Sequence, residues 1–433
     1  MRTLPYLITA VLVWLSGSSA HAQTLAQHRC NAMEKGINIS NWLEEYWNPD
    51  WPLDHKYTKQ HLQQMHDAGM TSVRLPVNFH AVVDTVAPYT VDVNHEVFAW
   101  VDSVVAWTDE LDMKLLIDNH HGWDLATYNW RQKLPRFSHL WSVLAQRYLL
   151  LDPDRVFFEL LNEPTLAFPK DSLRIMYNDA IDSIRQHTVD HTIIVSPHFG
   201  GTAMVFVEWE PLADTNLIYT WHVYDPLDFT HQGLAWHNPY YEAGIPFPNP
   251  NPGLFDTFLT TGWQRALDWK QTHQLPIFMG EFGLSNYCDS ASACQWLQYS
   301  MTRLKANYIP WFYWDWQWDF SMFRSHVISE DSIYPCFKYY LGLYGDDSFT
   351  DVQEAAQSEP MSVYPNPASE WFVLDVPFAS GNVAVCDVSG RLMLQLPYRQ
   401  GMRIPVSDWD AGVYLIRLFN ADQVQTTRVV VGR

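Results

Sequence analysis

The chain is poor in positive charge and has a single early apolar run that resembles a leader. Among 433 residues, 27 Lys and Arg stand against 48 Asp and Glu, a net charge of −21. Nucleic acids and anionic membrane surfaces attract basic proteins, so this balance argues against both as partners. The apolar run, Leu7 to Leu15, follows Arg2 and precedes Ala20-His21-Ala22. It is too short to span a bilayer. A positive start, an apolar stretch and an A-x-A site read as a secretory signal at 1–22, with Gln23 as the mature N-terminus. No second candidate span follows, and an exported, soluble protein is expected.

Cysteine is also sparse: Cys30, Cys288, Cys294, Cys336 and Cys386. Disulfides are permitted in an exported chain. Cys288 and Cys294 are close enough to staple one loop. Cys30 and Cys336 lie near the two ends of the region described next, which makes them a second candidate pair. Sequence does not fix the connectivity, and Cys386 stands apart in the C-terminal segment. No spacing resembles a zinc site. Aromatic residues, by contrast, are plentiful, with 21 Trp, 22 Tyr and 22 Phe. Most must fill a core. Flat aromatic faces also serve sugar sites, so the excess leans towards a glycan.

Eight short apolar runs recur: Gly36–Ile39, Ser72–Val77, Lys114–Ile117, Val156–Leu161, Thr192–Val195, Leu217–Thr220, Pro276–Met279 and Ile309–Tyr313. Continuous apolar runs of this length suit parallel strands buried on both faces. Helical periodicity lies between them. Phe137, Leu140, Trp141, Leu144 and Tyr148 mark one helix, Val97, Val101, Val104 and Leu111 another, and Leu173, Met176, Ala180, Ile181 and Ile184 a third. Gly69 is a plausible stop for a helix over 55–68. Strands alternating with helices imply an α/β fold, and eight such units predict a (β/α)8 TIM barrel over 23–344. An acidic, polar linker is expected at 345–360. Short β-like runs then follow at Trp371–Val376, Val383–Asp387, Arg391–Leu396, Val413–Leu418 and Thr426–Val431, with Ser389-Gly390 as a turn. They predict a small all-β, sandwich-like domain over 361–433.

Polar groups collect at the ends of the runs. Arg74 is in the second. His120-His121 follows the third, after Leu115-Leu116-Ile117-Asp118-Asn119. Asn162-Glu163-Pro164 follows the fourth, and Trp221-His222-Val223-Tyr224 the sixth. Glu281, in Gly280-Glu281-Phe282-Gly283, follows the seventh, and Trp314 the eighth. The C-terminal strand ends of such a barrel are where catalytic groups gather. Two carboxylates from different strands are what glycosidic hydrolysis requires: one protonates the leaving oxygen, and the other attacks the sugar carbon or activates water. Taken singly, each residue has a plainer reading, as a buried ion-pair partner, a core histidine or a packing ring. The long connection Asp225 to Pro252 reads either as a decorated surface loop or as a cleft wall using Trp236, Tyr240, Tyr241 or Phe247. Trp42, Trp47, Trp123, Trp316 and Trp318 are candidates for further stacking platforms or for packing.

The ordered set Arg74, His120, Asn162-Glu163-Pro164, His222-x-Tyr224, Glu281 and Trp314 resembles glycoside hydrolase family 5, the cellulase A family of retaining β-glycanases. The resemblance covers about residues 30 to 344, with the two glutamate blocks in the barrel context that such enzymes use. It implies Glu163 as general acid/base and Glu281 as nucleophile. Asn162 would bind the sugar 2-hydroxyl next to the scissile bond. Tyr224 and Arg74 would hold and polarise Glu281, and His222 would lie near Glu163. His120 would line the subsite before the scissile bond, with His121 assisting and Trp314 as its stacking floor. No metal or organic cofactor is implied. The acid must keep its proton while the nucleophile is ionised, so the two environments must differ, with an arginine favouring the charged Glu281 and burial and a negative neighbour raising Glu163.

The segments Val363-Tyr364-Pro365-Asn366-Pro367-Ala368, Val385-Cys386-Asp387-Val388-Ser389-Gly390-Arg391 and Ala411-Gly412-Val413-Tyr414-Leu415-Ile416-Arg417 resemble the type A sorting domain of type IX secretion. This implies outer-membrane secretion machinery as a partner, and a secreted or outer-surface location. The competing reading is a small carbohydrate-binding module using Trp371 and Trp409. The leading expectation is a monomeric endo-acting β-1,4-glucanase with a polysaccharide or oligosaccharide substrate. β-Mannan, xyloglucan and mixed-linkage glucan are alternatives, because specificity resides in loops. A glycan-binding protein without catalysis is the third reading.

Overall fold

The computed structural model describes residues 24–45, 57–121, 130–165, 168–323, 329–345, 361–375, 380–387, 392–419 and 424–432. The expected signal at 1–22 and nearly all of the linker lie outside them. The chain divides into two compact units, Met1–Asp347 and Ser348–Arg433.

In the first unit, β1 (Lys35–Asn38), β2 (Ser72–Val77), β3 (Lys114–Asn119), β4 (Val156–Glu159), β5 (Ile193–Val195), β6 (Leu217–Val223), β7 (Ile277–Phe282) and β8 (Trp311–Tyr313) form a closed barrel in sequence order. Every neighbouring pair is parallel, and β1 pairs with β8 to close the ring. All eight expected runs are strands. β8 begins just after Pro310, which has no N–H to give a ladder. β6 and β7 run further than expected, so His222 and Glu281 lie inside strands rather than beyond them.

The helices follow from the apolar spacing. Trp130–Arg147 turns Phe137, Leu140, Trp141 and Leu144 inward, and Lys170–Arg185 does the same with Leu173, Met176, Ala180, Ile181 and Ile184. Gly69, at φ +93°, ends the chain reversal after helix Lys59–Asp67. One helix was not expected. Leu25–Met33 buries Ala26, Cys30 and Met33 in one cluster with Leu116, Phe157, Ile194, Ile218, Phe278 and Phe312 from six barrel strands. Its weak amphipathic pattern hides it from periodicity, since only three apolar side chains are needed to join that interior cluster.

Neither expected cysteine pairing forms. The disulfide joins Cys294, on helix Ser290–Ala306, to Cys336, on helix Pro335–Leu341, with Cα atoms 5.7 Å apart. Cys288 lies before the helix cap and turns inward, where its thiol meets the Phe229 carbonyl at 3.3 Å and the Gln232 amide at 3.4 Å. Cys30 is a free thiol held in the cluster beneath the barrel.

In the second unit, five expected β runs appear as β10 (Trp371–Asp375), β11 (Ser380–Asp387), β12 (Leu392–Arg399), β14 (Gly412–Phe419) and β15 (Val424–Val431). Two short strands escape the sequence pattern, β9 (Ser362–Tyr364) and β13 (Ile404–Pro405). They form a three-stranded sheet, β13-β10-β9, and a four-stranded one, β12-β11-β14-β15. Phe372, Leu374, Val383, Val385, Ile416 and Val429 are buried in its core. Trp409 packs against that core beside Tyr414, and Trp371 lies 4.0 Å beneath the Arg403 guanidinium. Trp409 is therefore engaged in packing, and one face of the half-buried Trp371 is covered by Arg403. The expected turn at Ser389-Gly390 lies outside the described residues.

The Cys294–Cys336 bridge closes a loop with a sequence separation of 42. Replacing both cysteines with serine is expected to lower the unfolding midpoint, at a loss of about 2–4 kcal/mol. Equilibrium denaturation of the double variant measures it, and an unchanged midpoint would mean that the packing of the two helices suffices without the bond.

Candidate active site

The site is built from strand ends that the sequence brings to one mouth. Arg74 sits mid-strand in β2 and is wholly buried. A buried guanidinium needs acceptors for its N–H fork, and the neighbouring strands supply them. Nε and Nη2 bond the two carboxylate oxygens of Glu159 on β4, at 2.7 and 2.8 Å. Nη1 bonds Glu281 on β7 at 2.6 Å and Asn38 on β1 at 3.1 Å. Nη2 also reaches the Asn162 carbonyl oxygen at 2.9 Å and Asp118 on β3 at 3.0 Å.

Glu281 takes a second hydrogen bond from the Tyr224 hydroxyl at 2.9 Å. Burial raises its carboxyl above the ordinary value, while His222, Arg74 and the Tyr224 hydroxyl pull it back down. Burial, reinforced by the charge of Glu281, holds the Tyr224 phenol far above its usual range, so it stays a donor. Glu163 lies beyond the end of β4, at φ +35°, a conformation that a non-glycine residue keeps only when its surroundings impose it. Its side chain is 41 % exposed, and that exposure is to the cleft it lines. His222 Nδ1 lies 2.7 Å from one Glu163 oxygen and 3.6 Å from a Glu281 oxygen. Glu163 keeps water on its cleft side but loses part of it to the surrounding wall, which raises its carboxyl to about 7, with Arg74 opposing. The two glutamates are thus unequal: Glu281 holds a charged bond to Arg74 and a hydrogen bond from Tyr224, whereas the contact of Glu163 is with His222. Desolvation is the main cause of the rise at Glu163, and the repulsion expected between the two carboxyls raises Glu281. Burial also lowers His222 to about 4, so its imidazole is neutral near pH 7.

Local backbone makes this juxtaposition possible. The β6–β7 register shifts at Trp221/His222, which sets His222 opposite Glu281. Such a bulge re-aims a side chain. At Gly280 a Cβ would come within 2.4 Å of Thr220 Oγ1 and 3.0 Å of His222 Nε2, and at Gly283 within 2.1 Å of the Trp314 carbonyl. Glycine thus lets β7 lie close to β6 at Gly280 and to the end of β8 at Gly283.

All nine residues expected at the site gather at this mouth. A cleft of about 650 Å³ is lined by His120, His121, Asn162, Glu163, Tyr224, Glu281 and Trp314, while Arg74 and His222 support it from behind. The His120 ring stacks on Trp314 at 5.6 Å, and its Nδ1 lies 2.5 Å from Asp118. Its Nε2 meets the Asn162 amide at 3.3 Å. His121 stands at the rim, 3.8 Å from Glu45.

Sequence reasoning missed Asp118, Glu159 and Asn38. The signal was present: carboxylates inside the apolar runs of β3 and β4 must find a buried cation, and Arg74 is the cation in the neighbouring run. Of the extra aromatic candidates, Trp42 and Trp316 are fully buried in the packing, whereas Trp318 lines the cleft. Trp47 and Trp123 lie outside the described residues. From the long connection, Trp236 lines the cleft; Tyr240 and Tyr241 do not, and Phe247 is buried. Glu163, His222 and Glu281 offer ligand atoms within 4.8 Å of one another, the one group among the described residues that could hold a metal. Their hydrogen bonds already engage them with one another and with Arg74 and Tyr224, and hydrolysis by two carboxylates requires no ion.

Replacing Arg74 with Met is expected to destabilise the barrel by about 3–5 kcal/mol, because three buried carboxylates lose their shared cation. Denaturant unfolding of the variant is the measurement; a loss under about 1 kcal/mol would mean that the carboxylates are neutralised in some other way.

Comparison with known proteins agrees with this geometry. Residues 26–320 match the family model for cellulase (glycosyl hydrolase family 5), and residues 362–432 match that for a secretion system C-terminal sorting domain. The chain is 27% identical over 346 residues to Endoglucanase 3 of Fibrobacter succinogenes, covering 69% of this chain and 51% of that one. It therefore spans about half the length of that curated relative. Among solved structures, it resembles a hyperthermophilic endo-β-1,4-glucanase in complex with substrate, at TM-score 0.65 and 22% identity, over 73% of this chain and 99% of that one. It also resembles Thermotoga maritima Cel5A in complex with mannotriose, at TM-score 0.61 and 24% identity, over 69% and 95%. At these identities the structural likeness speaks for the fold.

Proposed function

We propose, for a chain that belongs to the cellulase family of glycosyl hydrolases (family 5), a secreted retaining endo-β-glycanase that hydrolyses β-1,4-glucan by double displacement. The observation that carries this reading is the unequal glutamate pair, with oxygens within 4.8 Å of each other across His222. Retaining glycosidases need close carboxylates, because one attacks the sugar directly and leaves no room for an intervening water. Glu163, raised to about 7, holds the proton for the leaving oxygen. Glu281, stabilised as an anion by Arg74 and Tyr224, attacks the anomeric carbon and forms a glycosyl ester. Water, deprotonated by Glu163, then breaks that ester, and the configuration is retained. Asn162, oriented by Arg74 and His120, faces the sugar 2-hydroxyl, and Trp314 with His120 floors the same subsite.

Charge supports an uncharged substrate. Glu44, Glu45, Asp315 and Asp319 line the cleft besides the two glutamates, with no Lys or Arg among its described lining residues. β-Mannan is the second reading, because specificity resides in loops. A monomeric enzyme is part of this reading. The sorting domain at 362–432 directs the protein to secretion and the cell surface; outer-membrane secretion machinery is the partner this reading names.

Glu163→Gln is expected to cut turnover of β-glucan by about 10²–10⁴-fold, and to cut it least on substrates whose leaving group needs no proton. Glu281→Gln is expected to lose turnover on both, and reducing-sugar and chromogenic assays together separate the roles. Equal loss on both substrates for Glu163→Gln would sink its assignment as the acid.

The pH profile follows from the same two groups. Activity requires Glu163 protonated, so kcat/KM falls as pH rises through about 7. It requires Glu281 ionised, so activity also falls as pH drops through that group's raised value. An alkaline limb that stays near neutrality in Glu163→Gln would assign that limb to another group.

A further inference from the structure

Trp236 lies in the long connection between β6 and β7, and its side chain is strongly exposed, at 61%. It is nevertheless fixed. Its indole N–H donates to Asp319 Oδ2 at 2.8 Å, which ties this connection to the loop after β8. Asp319 is itself held, because its carbonyl accepts the backbone N–H of Asn286 at 2.7 Å. The Asn286 amide donates to the carbonyl of Trp318 at 2.8 Å, a residue kept at φ +86°. His231 and Phe320 brace the Trp236 ring, with centroids 6.1 and 6.4 Å away. A large apolar ring, exposed to the cleft and pinned by its one polar atom, loses little conformational freedom when a ligand covers it.

Its position relative to the reacting centre is defined by ring contacts. His231 is 5.1 Å from Tyr224, whose hydroxyl bonds Glu281. Trp236 is one ring further out. It lines the same cleft, and its contact with Tyr224 runs through His231 and Phe320.

We propose that Trp236, oriented by Asp319, is a stacking platform for a hexose of a neutral β-glycan at a subsite distant from the scissile bond. This rests on the glycanase reading above and adds to it a determinant of chain-length preference. The cleft is acidic: Asp319 holds the edge of the ring, and Glu44, Glu45 and Asp315 line other parts of it. They exclude uronic acid or sulfated units there and leave the uncharged hexose face as the group that fits.

The test compares kcat/KM on a neutral hexasaccharide with that on an aryl disaccharide, for wild type, Trp236→Ala, Trp236→Phe and Asp319→Ala. Trp236→Ala is expected to lower the hexasaccharide-to-disaccharide ratio by roughly ten- to thirtyfold, from the apolar ring face left uncovered. Trp236→Phe should restore most of the ratio, and Asp319→Ala should give an intermediate fall. An unchanged ratio, whether both substrates suffer alike or neither does, overturns the platform. Calorimetry of glucan and mannan hexaoses on Glu281→Gln, with and without Trp236→Ala, separates this from failure of the glycanase reading. If Glu281→Gln binds a hexaose and the Trp236 change leaves the affinity as it was, the platform alone falls. If wild type cleaves none and Glu281→Gln binds none, both readings fall.

Discussion

The guanidinium of Arg74 is the constraint on which the site depends. It is fully buried and reaches four neighbouring barrel segments at once: Asn38 on β1, Asp118 on β3, Glu159 with Asn162 around β4, and Glu281 on β7. A cation in that position must be paired, and so must each carboxylate around it. The result is a rigid floor. Glu281 cannot turn away without abandoning a 2.6 Å charged bond, and Asn162 cannot flip without losing Arg74 on one side and His120 on the other. The hydrogen bonds that orient the sugar-facing groups are the same ones that make the buried arginine tolerable.

From that floor the two glutamates acquire different chemistry. One positive charge is shared among Asp118, Glu159 and Glu281, and little of it is left for Glu163. Burial raises Asp118 to about 7 as well, with Arg74 opposing and Glu163 adding to the rise. Carboxylate charge thus exceeds what one guanidinium can balance, and protons must make up part of the difference near neutrality. A site in this condition holds a proton readily at the carboxyl least compensated by partners, which is what a general acid requires. His222, neutral and placed between the two glutamates, can exchange hydrogen bonds with either without adding a charge of its own.

Most of the barrel was legible because parallel strands buried on both faces write themselves as apolar runs, and all eight did so. Eight of the nine expected site residues were legible because each sits beyond a run's end, and Arg74 because it is a charge inside an apolar run. Glu159 was obscured because it is an acidic residue inside a run otherwise apolar, and Asp118 because it was passed over between the third run and His120; only the barrel's closure shows that both face Arg74. The helix Leu25–Met33 and the short strands β9 and β13 were illegible because they follow three-dimensional partners rather than a period of their own. The disulfide was misread on proximity. Cys288 and Cys294 are near in sequence, yet a helix start separates them, and Cys294 instead faces a helix whose residues come 42 positions later. The boundary of Glu281 moved too, from beyond a strand to within it, because β7 continues as far as the register shift that sets it opposite His222.

The chemistry and the selection of substrate are carried by different parts of the chain. The groups proposed to surround the reacting sugar sit in strands or within a few residues of strand ends, where the closed barrel holds them. The groups further along the cleft belong to connections, and need their own restraints. Trp236 shows what such a restraint looks like: a hydrogen bond from the one polar atom of its ring to a loop that is itself tied down by Asn286. Without it, an exposed tryptophan on a long loop would sample many orientations, and ordering it would consume part of any stacking energy. With it, loop residues can present a surface nearly as defined as the barrel's own. Substrate preference can then change through the connections while Arg74, Glu163 and Glu281 stay where the strands hold them.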